Sequence, residues 1–174
     1  MSVLEDGTVK DLDYTAGIYM ANKIDSAWYA AGEYGISGAG EKSIANGSFT
    51  SDKSVFYFSI CEGFGSCKIY EGKLTKDSIV AYSELPAPIN LPDVSSTHPC
   101  ITEVDGKKVL VFSSNRQGGQ GGMDLWTSSY KGKWSAPKNL GKVVNTVGNE
   151  VTPFFDNDSN KLYFSSDWHY NVGG

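Results

Sequence analysis

Long apolar runs are missing from this sequence: the longest, such as Ala16 to Ala21, are about six residues, far short of the roughly 20 needed to cross hydrocarbon. No segment is therefore expected to span a membrane. Positive charge is also scarce, with 15 Lys plus Arg against 20 Asp plus Glu and no basic stripe, which argues against nucleic-acid phosphates as a partner. Histidine occurs only at His98 and His169, and no Gly-x-Ser-x-Gly elbow is present, so an acyl-transfer triad has no support. Cysteine occurs only at Cys61, Cys67 and Cys100, too few and too unevenly spaced for a zinc set. Gly118 to Gly122 lacks the following Lys-Ser/Thr of a phosphate-binding loop. No cofactor and no metal is expected. The opening residues carry neither a basic n-region nor an apolar h-region, which leaves a cytoplasmic protein or a piece of a longer chain.

What is present is a balance of 40% hydrophobic, 13% aromatic and 20% charged residues over 174, enough for one packed domain or part of one. Its organising feature is a repeat. Val55 to Ile60 (VFYFSI), Val109 to Ser114 (VLVFSS) and Lys161 to Ser166 (KLYFSS) read as three related strands, with Phe58, Phe112 and Phe164 separated by 54 and 52 residues. Each follows a turn rich in Asp, Asn, Ser, Gly or Lys: residues 51–54, 105–108 and 156–160. Trp28 to Ser59 also lies without a gap on Trp134 to Ser165, matching Trp28 to Trp134, Asp52 to Asp158 and Tyr57 to Tyr163.

That spacing suits a four-stranded propeller blade per repeat. It divides the chain into the second half of a blade (1–43), two blades (44–96 and 97–149) and the first half of another (150–174). The expected fold class is all-β, an incomplete segment of a larger propeller, with remaining blades supplied by more chain or by an assembly partner. A competing pattern runs through residues 11–31, where Leu12, Ala16, Met20, Ile24, Ala27 and Ala31 share one helical face behind Asp11 as an N-cap; helix and strands both remain open there.

The run VLVFSSNRQGGQGGMDLWTSSYKGKWSAPKNLGKVVNTVGNEVTP, residues 109–153, resembles the WD40-like, TolB-type propeller repeat of OmpA-family, peptidoglycan-associated outer-membrane proteins of Bacteroidota, including a type IX secretion component. The resemblance is close from Val109 to Gly174, recognisable from Ile44 to Asp93 and faint before Trp28. It implies a non-catalytic periplasmic scaffold that joins the outer membrane, envelope protein partners and, through a domain absent from this sequence, peptidoglycan. Asp25-Ser26-Ala27 and Asp77-Ser78-Ile79 also resemble the short O-glycosylation signal of exported Bacteroidota proteins.

Several residues are singled out on these grounds. Arg116, Gly118, Gly119, Gly121 and Gly122 form a wide glycine-rich hairpin, with Asp124 placed to accept hydrogen bonds from its backbone and Trp126 to pack between sheets, as should Trp134. Cys61 and Cys67 bracket a short loop and are either a disulfide or two free thiols. Trp168, His169 and Tyr170 are candidates for partner contact. The rival function is a carbohydrate-active or glycan-binding propeller using Glu150 and Glu103 as paired acids.

Overall fold

The computed structural model describes residues 2–3, 9–10, 16–37, 42–62, 66–76 and 78–169, and every regular element among them is a strand. β1 (Ser2–Val3) and β2 (Val9–Lys10) form a short antiparallel pair, and β3 (Tyr19–Ile24) and β4 (Ala27–Glu33) form a hairpin. β5 (Gly35–Ile36), β6 (Ser43–Phe49), β7 (Val55–Glu62), β8 (Ser66–Leu74) and β9 (Ser78–Glu84) build a sheet in the order β5-β9-β8-β7-β6. Four of its strands form an antiparallel meander, and β5 joins β9 in parallel. β10 (Ser96–Val104), β11 (Lys107–Ser114), β12 (Asp124–Ser129) and β13 (Lys138–Asn139) form a second antiparallel meander, followed by the hairpin of β14 (Glu150–Asp156) and β15 (Lys161–Ser166).

The helical alternative for residues 11–31 fails over its described part. Asp25 turns the chain with φ +54°, a left-handed conformation that aspartate tolerates, and Tyr19, Ile24, Trp28 and Tyr29 belong to strands. A helix there would need a surface to cover its apolar stripe. The hairpin instead projects from the molecule, with only Ile18 and Tyr34 at its base packed on the core. Residues 11–15 lie outside the described part.

The repeat is visible in the backbone. Each first strand carries a bulge at a residue in the left-handed region: Asn46 in β6, His98 in β10 and Thr152 in β14, with φ of 49°, 50° and 52°. For the β-branched Thr152 this conformation is costly, so the surrounding pairing must impose it. β7 then shows why a run of apolar residues was selected rather than an alternation. Phe56, Phe58 and Ile60 face one cluster with Ile44 and Ile79, while Tyr57 faces a second with Ile69, Leu110, Phe112, Trp126 and Trp134. Both faces of this sheet are covered.

Consecutive sheets are also joined by single hydroxyls. Ser59, fully buried, accepts hydrogen bonds from Thr97 Oγ1 and His98 N, both at 3.1 Å. Its counterpart Ser113 donates to Glu150 O at 2.6 Å. Ser48 accepts from Ile101 N at 2.7 Å and donates to Pro99 O at 3.0 Å. The third serine of the series, Ser165, meets only Thr152 Oγ1 of its own hairpin, and the neighbouring Tyr163 is 52% exposed where Tyr57 is 2%.

Two predictions arise here. Cys61 and Cys67 face each other in the β7–β8 register and are joined as a disulfide closing a separation of six residues. Loop-closure entropy gives a bridge of that span about 2 kcal/mol, so the Cys61→Ser/Cys67→Ser double variant should show a lower urea midpoint by a corresponding amount, with an m-value equal to the parent's or slightly higher because the unfolded chain is less constrained. The second concerns His98, whose Nδ1 is shut from solvent without a hydrogen-bond partner, and whose pKa burial pushes below the usual 6.5. The unfolded chain therefore binds this proton more readily than the folded one. The associated stability is complete above pH 6.5 and is lost as pH falls from there through the folded-state pKa. His98→Asn, which suits the left-handed backbone, should decline less between pH 7 and 5 in urea melts than the parent.

Candidate functional site

Arg116 begins β11's exit toward the glycine-rich loop, and its side chain turns inward, not outward. Its Nε donates to Ser114 Oγ at 3.1 Å, Nη1 to Pro88 O at 2.9 Å, and Nη2 to Ile89 O at 2.5 Å and Ser96 Oγ at 3.1 Å. The guanidinium lies 4.8 Å from the Phe112 ring centroid and 5.5 Å from that of Trp126. Burial lowers its pKa to about 10, leaving it charged at neutral pH. Arg116 thus ties the loop after the first meander to the second meander.

The glycines beyond it allow close approach. A Cβ on Gly119 would stand 1.9 Å from Asp124 Oδ2, and one on Gly121 2.3 Å from the Val147 backbone. Asp124 is buried; its Oδ2 accepts from Gln120 N at 2.5 Å and from Asn139 Nδ2 at 3.1 Å, pinning the loop to β13. Gly118 has φ +90° and Gly122 packs on Asn149. At the matching position of the first meander stands Lys68, whose Nζ donates to Leu91 O and Val94 O beside the disulfide. Trp126 and Trp134 are both buried between the meanders.

The glycine loop and the segment after β15 meet at one end of the molecule. Met123 N donates to Asn149 Oδ1 at 3.0 Å, and Asn149 donates through N and Nδ2 to Asp167 at 2.6 and 2.7 Å. Those bonds hold the Asp167 carboxyl below its ordinary pKa. Gly148 leaves room for Trp168, which is 64% exposed beside Val147 at 62%. His169 differs from its neighbour: its Nε2 lies 2.9 Å from Val144 O and its ring meets the edge of Phe164. Tyr170 lies outside the described residues. The result is two exposed apolar side chains, Val147 and Trp168, near Gly148 on a hydrogen-bonded frame.

Glu150 and Glu103 are not brought together. Glu150 is fully buried, and its carboxylate accepts from Thr146 N at 2.9 Å, Thr146 Oγ1 at 2.6 Å and Ser166 Oγ at 2.7 Å. Glu103 is exposed next to Thr102, which bonds Asn157 beyond the far end of β14. Six residues of largely extended chain separate Glu150 from Asn157, a span on the order of 20 Å. The Asp156 turn satisfies itself, with its carboxylate accepting from Asp158 N and Ser159 Oγ, and no group of three metal-binding side chains occurs among the described residues.

A cleft between the two meanders was not visible in the sequence. It is an open groove of about 460 Å³ lined by the buried Tyr57 and Trp134 and by Tyr130, Lys108, Glu71 and Lys73. No helix among the described residues is long and apolar enough to cross a membrane. No family model matches the chain, and no curated protein is significantly similar to it.

Proposed function

We propose that this chain is a segment of a WD40-like propeller that serves as a non-catalytic protein-interaction scaffold in the cell envelope, on the periplasmic side and in association with the outer membrane. The resemblance of residues 109–174 to TolB-type repeats supplies the setting, including the link to type IX secretion or peptidoglycan. The observation that carries the scaffold reading is the exposed apolar pair Val147 and Trp168, set on the frame of the Asn149–Asp167 bonds. The backbone that presents this pair is held by hydrogen bonds before binding, which lowers the entropy cost of association with a protein surface. The serine links between sheets agree with a propeller arrangement, since the matching residues Ser59 and Ser113 each bond the first strand of the next repeat, the one as acceptor and the other as donor. The carbohydrate-active alternative lacks a free carboxylate at Glu150.

A photo-crosslinking residue introduced at Trp168, and separately at Lys131, in cells that make the protein tests this reading. A discrete adduct in the outer-membrane fraction from position 168 and none from 131 is expected. A protein recovered in the cytosolic fraction, or equal crosslinking at both positions, would overturn it.

A further inference from the structure

The cleft between the meanders has a chemistry of its own, separate from the Trp168 patch. Lys108 Nζ rests over two aromatic rings, 6.0 Å from the Tyr57 centroid and 5.7 Å from that of Tyr130. Lys73 and Lys133 stand on the rim. None of the three makes an ion pair within 4 Å, the one salt bridge among the described residues being Lys42–Glu62. The charge of Lys108 also reaches Asp52, to whose low pKa it makes a minor contribution. The single carboxylate in the lining is Glu71, which interacts with the Tyr57 hydroxyl. Three cations against one engaged anion create a positive hollow in a chain whose formal net charge is −5.

Charge alone would suit any small anion, and the walls narrow the choice. Tyr130 is 41% exposed and stands edge-on to Trp134 at 5.2 Å between centroids, offering a flat apolar surface beside the ammonium group. Ser83 and Glu71 provide polar atoms on the opposite wall that can bond hydroxyls. The volume lies in the range of small-molecule sites. We propose that this cleft binds an acidic sugar of one or two rings, a uronate, with its carboxylate toward Lys108 and a ring face on Tyr130. The inference goes beyond the scaffold reading and does not depend on it.

Titration of the protein with glucuronate, followed by tryptophan fluorescence and by backbone amide shifts, is the test, with glucose as the neutral counterpart. Glucuronate should bind at least tenfold more tightly than glucose, shift amides around Tyr130 and Trp134, and weaken as salt is added. Lys108→Gln should reduce its affinity about tenfold, and the exposed Lys133→Gln several-fold; the latter decides the matter if Lys108→Gln fails to fold. Equal binding of glucose, shifts elsewhere, or indifference to Lys133→Gln would overturn the proposal. Saturable binding of an acidic tetrapeptide at the same amides, with none of glucuronate, would overturn the sugar and assign the cleft to a peptide.

Discussion

Arg116→Ala is expected to lower the unfolding free energy by about 2–3 kcal/mol, the scale of losing hydrogen bonds from a charged donor and leaving a buried acceptor unpaired. Four acceptors lose the guanidinium at once, Pro88 O, Ile89 O, Ser96 Oγ and Ser114 Oγ; Ile89 O keeps the Ser96 hydroxyl and Ser114 Oγ keeps Ser95 O, whereas Pro88 O loses its hydrogen-bond donor. The rings of Phe112 and Trp126 also lose the cation packed against them. Since whole domains are stable by only about 5–15 kcal/mol, the variant should melt well below the parent or fail to fold. Arg116→Lys separates charge from geometry. An ammonium keeps the positive charge but cannot reach all four acceptors from one planar fork, so it should recover only part of the loss. Thermal unfolding followed by near-ultraviolet dichroism, which reports Trp126 packing, would measure both. Equal stability of all three proteins would show that the Arg116 contacts contribute little.

Glu150→Gln should cost about 2–3 kcal/mol although it is nearly isosteric. The carboxylate accepts three hydrogen bonds, from Thr146 N, Thr146 Oγ1 and Ser166 Oγ. Thr146 N is a fixed donor and holds the amide oxygen at its side, so the amide NH2 stands where the other oxygen accepted from two hydroxyls, both of which must turn away from donating. The same substitution is what a search for a catalytic acid would make, so the outcome separates two ideas. A shift in urea midpoint measures the structural role; an unchanged midpoint with lost turnover of a glycan would reinstate the carbohydrate-active reading.

Strand positions were legible because local chemistry decides them. Phe58, Phe112 and Phe164 recur after turns rich in small polar residues, and the composition of the strands leaves little choice of conformation. Residues 16–31 were ambiguous for a physical reason: Ala16, Met20, Ile24 and Ala27 satisfy a helical period, and only the turn at Asp25 selects the hairpin. For Cys61 and Cys67 the short loop left a disulfide and two free thiols open and the register decided for the bond, whereas the role of Ser59 was out of reach because its partners lie 38 and 39 residues away. The lysine-aromatic cleft was hidden for the same reason, being assembled from residues 55–87 and 108–134. Glu150 shows an intermediate case. Thr146 stands four residues before it and is a local partner, whereas Ser166 joins only when β15 folds back.

The serine links have a mechanical meaning as well. Ser59 holds the second meander to the first and Ser113 holds the last hairpin to the second, whereas Ser165 holds nothing beyond its own hairpin. Tension or spontaneous opening would therefore travel from that hairpin inward, peeling β14 and β15 before it reached β11 or β7. Among the strands from β7 to β15, amide protons should record this as a gradient, with those of β15 exchanging first and those of β7, covered on both faces, last.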